Sequence, residues 1–242
     1  MHREEPCDSR DAVNAKRRAL LDFMPADSAH AAETTSAWML AAGSVRGPAH
    51  LRNGAPRQDA FSFAAVGDTI VACVCDGLGS QGRSHIGAKL ASEMVAHSVA
   101  AALAALAPES HSQAIASGAA GMLGDAVRGA VSAAARETEE LMLLEQGPGF
   151  AATIVGVVAC PSAGLFFHVG DGVGLAFPGG PFEDHPEPMI SAPENGDFDD
   201  VTYAIDTDPH DPHLRFTPFG TAELVVLMTD GPMPFALGRD QA

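Results

Sequence analysis

Aromatic residues are scarce in this 242-residue chain, at 6%, with one Trp and one Tyr. Its core must be filled by aliphatic and small side chains, since 46% of the sequence is hydrophobic on the broad count. Positive charge is short as well: 14 Lys and Arg stand against 31 Asp and Glu, a net charge of −17. Such a surface repels a phosphate backbone, which excludes nonspecific nucleic-acid binding. Long apolar runs are missing too. The longest weakly polar stretches, AAALAALA at 100–107 and FAATIVGVVAC at 150–160, fall short of the ~20 residues a membrane span requires, so no membrane partner is expected. The four cysteines, Cys7, Cys73, Cys75 and Cys160, show no CxxC spacing, and the N-terminal residues show no apolar segment before a small-residue cleavage site. Reduced thiols in a cytoplasmic protein are the expectation.

What is present begins to organise at residue 36. Residues 1–35 mix acids and bases with little periodicity and read as a mobile extension, followed by one domain over 36–242. The KRR run at 16–18 reads as a solvated face. In SFAAVGDTIVACVCDG (62–77) two apolar runs meet at Gly67-Asp68, a hairpin signal. Ile86, Leu90, Met94, Val95, Val99, Leu103 and Leu106 recur at spacings of three and four, which predicts an amphipathic helix over 84–107 stopped by Pro108. A second helical stretch is predicted from Gln113 to Leu144, then strands at 152–160, 164–172 and 173–177. A polar, proline-dotted region reaches Pro212, and AELVVLMTDG (222–231) reads as a buried strand. Strands joined by such short turns are antiparallel neighbours, so the class is α+β.

Three of these apolar runs, VACVCDG, FFHVGDG and VVLMTDG, end in Asp-Gly, at Asp76, Asp171 and Asp230. Taken singly, each is ordinary turn chemistry. Taken together, they place carboxylates at a sheet rim, where partial desolvation makes unpaired negative charge costly and a hard cation welcome. Between Arg136 and Arg215 the chain carries fifteen acids and no Lys or Arg, so that segment cannot neutralise itself.

The ordered motifs GAPRQDAF with Asp59, VACVCDGLGSQGRSHIGA with Asp76 and Gly77, GFAATIV with Thr153, HVGDGVGLAF with Asp171, and LVVLMTDG with Asp230 resemble the metal-dependent protein phosphatase family, the protein phosphatase 2C group in its bacterial form. The stretch PENGDFDDVTYAI (193–205) adds to the resemblance, which covers about 40–235. It implies two antiparallel sheets packed face to face and flanked by helices, a four-layer α-β-β-α sandwich. It also implies a binuclear Mn²⁺ or Mg²⁺ centre whose bound water or hydroxide hydrolyses phosphoserine and phosphothreonine in proteins. Carried over, Asp76 bridges the two metals, the Gly77 carbonyl binds one, Asp230 binds the other, and Asp59 holds metal-bound waters. Asp171 is a supporting ligand for an additional metal. The partners implied are a phosphoprotein substrate and a Ser/Thr kinase.

Three departures from the family pattern accompany it. Gly54 stands where the family often has a phosphate-clamping arginine, leaving Arg52, Arg57 or Arg46 to substitute. Leu78 stands where eukaryotic relatives have a histidine suited to protonating the leaving group, with His85 nearby in sequence. The last metal carboxylate of the family lies in a closing strand well beyond the TDG motif, and Asp240 is too close in sequence to replace it. The resemblance therefore leaves two expectations, a domain truncated at its C-terminus or an incomplete metal site with weak catalysis, and a missing closing strand would leave a sheet edge exposed. The alternative from a different class is a weak or inactive phosphatase-like domain that binds a phosphoprotein or a kinase. A calcium module built on Asp206, Asp208 and Asp211 lacks the central glycine and terminal glutamate of the hand-type loop, and His210 with His213 offers only two zinc ligands.

Overall fold

Residues 70–75 and 154–169 are apolar almost without interruption because their strands are covered on both faces. In the computed structural model, residues 9–145, 149–179, 187–194, 202–206 and 213–236 are described. The predicted hairpin forms as β3 (Ala60–Val66) and β4 (Thr69–Cys75). It joins β5 (Ile154–Cys160), β6 (Ala163–Val169) and β9 (Arg215–Phe219) in a five-stranded antiparallel sheet of order β3-β4-β5-β6-β9. A second sheet has the order β10-β7-β8, from β7 (Val173–Phe177), β8 (Met189–Ser191) and β10 (Leu224–Met228).

Strand alternation sorts the side chains into layers. Val71, Cys73, Ile154, Val158, Leu165 and Phe167 face the helices, while Ile70, Val157, Ala159 and Phe166 meet Ala176, Val225 and Leu227 of the second sheet. The helical layer is α3 (Ser84–Ala104) against α5 (Met122–Glu145). The predicted face of α3 is the one buried, with Ile86, Leu90, Val95, Val99 and Leu103 at its centre. The second helical stretch is interrupted: α4 (His111–Ala116) and α5 are separated by a 3-10 turn at Gly118–Ala120, where Gly118 takes φ +61° in the left-handed region. The antiparallel α+β sandwich is as expected. Its fourth layer is not a full one among the described residues: the outer face of the small sheet, Val173 and Leu175, meets Met233 of the single-turn α6 (Met233–Ala236).

The N-terminal expectation is corrected. Residues 9–34 are structured, as α1 (Ser9–Leu21) and β1 (Ser28–Thr34), and β1 pairs along its whole length with β2 (Met39–Val45). A boundary at residue 35 would cut this hairpin. The KRR run lies on α1, and its Arg17 pairs with Glu137 and Glu140 of α5. Between β2 and β10 lies an apolar groove of about 230 Å³ lined by Leu40, Phe61, Phe63, Val157, Val225 and Leu227. Among the described residues no strand pairs with the outer edge of β10. No single helix among them is long and apolar enough to cross a membrane.

One close approach couples the layers. A Cβ on Gly87 of α3 would fall 1.7 Å from the Phe150 carbonyl oxygen, so only glycine lets the helix press against the segment leading into β5. Gly87→Ala should therefore cost about 1–3 kcal/mol through overpacking, read as a lower urea midpoint; an unchanged midpoint would show that the segment gives way freely.

Candidate metal centre

Antiparallel pairing brings alternate strand ends to one rim. Asp59 precedes β3, Asp76 follows β4, Thr153 precedes β5, Asp171 lies beyond β6 and Asp230 beyond β10. Because Ala60 pairs with Cys75, Val74 with Val155, Ile154 with Val169 and Met228 with Val173, these positions share one end of the sandwich.

Asp76 is held most firmly. Its carbonyl accepts from the Thr153 N–H at 2.8 Å, and its own N–H donates to the Thr153 hydroxyl at 3.2 Å. The ladder continues through a bridge between Gly77 and Ala152 and a bond from the Leu78 N–H to the Ala151 carbonyl at 3.0 Å. Asp171 is oriented by the Thr202 hydroxyl, which donates to its Oδ2 at 3.0 Å, while its Oδ1 is buried with no hydrogen-bond partner among the other described residues. The Gly170 carbonyl beside it accepts from the Glu194 N–H at 2.8 Å, and the Glu194 carboxylate pairs with Arg215 at 2.8 Å.

The electrostatics are those of crowded acids. Burial, then repulsion from Asp59, Asp230 and Asp171, pushes the Asp76 carboxyl up to about 9. Burial also raises Asp59, against hydrogen bonds from Thr229 and Asp76 that lower it, and raises Asp171 against the bond from Thr202. Asp230 is exposed at the mouth. Burial and the neighbouring acids thus favour the protonated form of Asp76 in the metal-free site. Among the described residues no three His, Cys, Asp or Glu side chains stand in metal-holding geometry. The donor set still suits a hard divalent cation: the carboxylates are all oxygen donors, one buried oxygen is unpartnered, and raised proton affinity marks the charge the site lacks.

The structure brings Asp59, Asp76, Gly77, Asp171 and Asp230 to one rim, and it engages Arg57 with backbone carbonyls. Arg57 is only 8% exposed and donates to two backbone carbonyls, those of Ala26 and Asp59. Arg52 is exposed on α2 (Pro48–Asn53), and Arg46 is engaged with Asp27 and the His50 carbonyl. His85 faces the N-terminal segment, with Nε2 donating to the Phe23 carbonyl at 3.2 Å. Asp208, His210, Asp211 and Asp240 lie outside the described residues, and His213 stacks on Tyr203 at 3.6 Å. Thr202 and Thr229 escaped the sequence reading. The one signal for Thr229 was its place beside Asp230, whereas Thr202 lay in a polar stretch without periodicity.

The protein phosphatase 2C family profile matches residues 46–237. The chain belongs to this family of metal-dependent protein serine/threonine phosphatases. Solved structures of similar fold include a bacterial serine phosphatase (TM-score 0.50, 13% identity, covering 88% of this chain and 82% of that one). Others are the serine/threonine phosphatase Stp1 from Staphylococcus aureus (0.49, 11%, 90% and 81%) and the catalytic domain of the phosphatase PstP in complex with two manganese ions (0.45, 15%, 82% and 74%). A search of curated proteins finds no match.

Two predictions follow from the rim itself. A carboxyl raised from 3.8 to about 9 on folding takes up a proton, so the metal-free protein should lose stability as pH rises between these values. Asp76→Asn should flatten that slope and raise Tm at pH 8 in EDTA by more than about 2–4 °C, the shift that 1 kcal/mol produces at this chain size; calorimetry showing a lower Tm would contradict the repulsion. Thr153→Val, which strands the Asp76 N–H, should cost about 1 kcal/mol by urea denaturation, and complete loss of metal binding in the folded variant would assign Thr153 a larger role.

Proposed function

We propose that this chain hydrolyses phosphoserine and phosphothreonine esters in cytoplasmic proteins, using two Mn²⁺ or Mg²⁺ ions held by Asp76, the Gly77 carbonyl, Asp230 and Asp59, with Asp171 as a further ligand. The observation that carries this reading is the convergence of Asp59, Asp76, Asp171 and Asp230 on one rim of the sandwich, where burial and the neighbouring acids raise the Asp76 carboxyl. When bound, two such cations supply an acidified water and a clamp on the phosphoryl oxygens. The residues do the rest. Asp76, locked to Thr153 through both its N–H and its carbonyl, would offer its carboxylate to the cations from a fixed backbone. Asp59, buried against Thr229, offers acceptors to water at the site, and Thr202 keeps Asp171 in one rotamer. Asp230 is the exposed acid of the rim, open to ligands from solvent. Water adds to phosphorus, the serine or threonine hydroxyl departs, and no covalent phosphoenzyme is required.

A second reading is supported by the engagement of Arg57 with carbonyls, which removes one candidate phosphate clamp. On this reading the domain binds a phosphoprotein or a kinase and turns over weakly or not at all. Hydrolysis of p-nitrophenyl phosphate at saturating Mn²⁺ separates the two. Activity that Asp76→Ala abolishes together with Mn²⁺ binding is the expected outcome; normal hydrolysis by Asp76→Ala would remove the site assignment, and tight Mn²⁺ binding without turnover would favour the binding domain.

A further inference from the structure

Arg57 does work that the sequence did not suggest. Its Nε donates to the Ala26 carbonyl at 3.1 Å and its Nη1 to the Asp59 carbonyl at 2.9 Å. The same Asp59 carbonyl accepts from the Ser44 hydroxyl of β2 at 3.3 Å. The main chain of Asp59 is thus held by two donors, and one of them leads directly to Ala26, outside the span 46–237 that matches the family.

Ala26 belongs to a segment that the domain grips by its backbone at several points. Arg83 donates to the Leu21 carbonyl at 2.8 Å, His85 to the Phe23 carbonyl at 3.2 Å, and the Arg46 N–H to the Asp27 carbonyl at 2.7 Å. The Phe23 ring stacks on His85 with centroids 6.4 Å apart, and the Lys89 ammonium lies 5.1 Å from its centre. Upstream, α1 is anchored to α5 by the ion pairs of Arg17. Residues 9–27 therefore form a strap with anchors at its start, middle and end.

We propose that Arg57 is a positioning residue that ties this strap to the Asp59 loop, so that residues 9–27 belong to the supporting frame of the metal centre. The inference rests on the reading of Asp59 as a metal-site residue. Asp59 is largely buried, with Asp230 repelling its charge and Thr229 holding its side chain, so its placement depends on a fixed backbone. The planar guanidinium bonds two carbonyls in different directions at once, which the point charge of a lysine does less well. Partners of this kind, one step removed from a metal, set its affinity by keeping its ligands in place.

The test compares the full chain with Arg57→Gln, Arg57→Lys, a form lacking residues 1–26, and that form combined with Arg57→Gln. Thermal unfolding establishes that each is folded. Mn²⁺ alone is titrated by calorimetry, KM for p-nitrophenyl phosphate is measured at saturating Mn²⁺, and amide hydrogen exchange across 57–61 is followed in metal-free protein. Each change should weaken Mn²⁺ binding by about 10- to 100-fold, leave KM unaltered and speed exchange at 57–61. The combined form should be no weaker than the worse of its two parents, as expected for groups acting through one contact. A raised KM with unchanged Mn²⁺ affinity would place Arg57 on the substrate and overturn the proposal, as would full rescue by Arg57→Lys. If the full chain binds no Mn²⁺, the metal reading fails separately, and exchange alone decides: faster exchange in Arg57→Lys upholds the tie, and unchanged exchange refutes it.

Discussion

The pairing of residues 76–78 with 151–153 is the constraint on which the acidic rim depends. Main-chain bonds, one side-chain bond and one bridge extend the β4–β5 ladder past its last regular residues, so that Asp76 leaves the sheet with its backbone already spoken for. Only a fixed backbone can hold a buried carboxyl beside Asp59, Asp171 and Asp230. The close contact of Gly87 with Phe150 serves the same end, since it sets α3 against the chain that enters the pairing. The helix, the strand ends and the rim are in this sense one arrangement.

Charge neutralisation works over long sequence distances. The acid-rich segment after Arg136 draws its cations from elsewhere: Arg17 for Glu137 and Glu140, Arg83 for Glu145, and Arg215 for Glu194. These pairs are partly exposed, so each adds little stability by itself. Their effect is directional, because they tell the N-terminal helix and the stretch ending at Glu194 where to lie. Among the described residues the rim carboxylates have no such ion pair, and burial followed by the neighbouring acids raises Asp76.

The features legible in the sequence are those governed by local periodicity. Apolar runs ending in Asp-Gly announced both the strands and the acids at their ends, and spacings of three and four announced α3, because burial on one or both faces writes itself into alternation. What escaped depends on contacts between distant residues. α1 and β1 carry few large apolar side chains and are held by Arg17 reaching across 120 positions and by a partner strand, so no window along the chain could reveal them. β9, with Arg215 and Pro218 inside it, lacks a strand's usual composition and forms because β6 offers it an edge. The role of Arg57 turned on its neighbours in space, two carbonyls that any sequence contains and none displays.

The topology that builds the rim also decides when it can exist. Asp76 meets Thr153 across 77 residues, and between β4 and β5 the chain must first lay down α3, α4 and α5. Contacts of such sequence separation close late, after local helices and the β3–β4 hairpin have gained what they can on their own. Asp230 is the last of these acids to be synthesised, and β10 carries it onto β7. The nascent chain therefore spends its early life with its acids apart and solvated, and the energetic strain of bringing them together falls on the last steps of folding, when a divalent cation in the surrounding solution has a completed rim to bind.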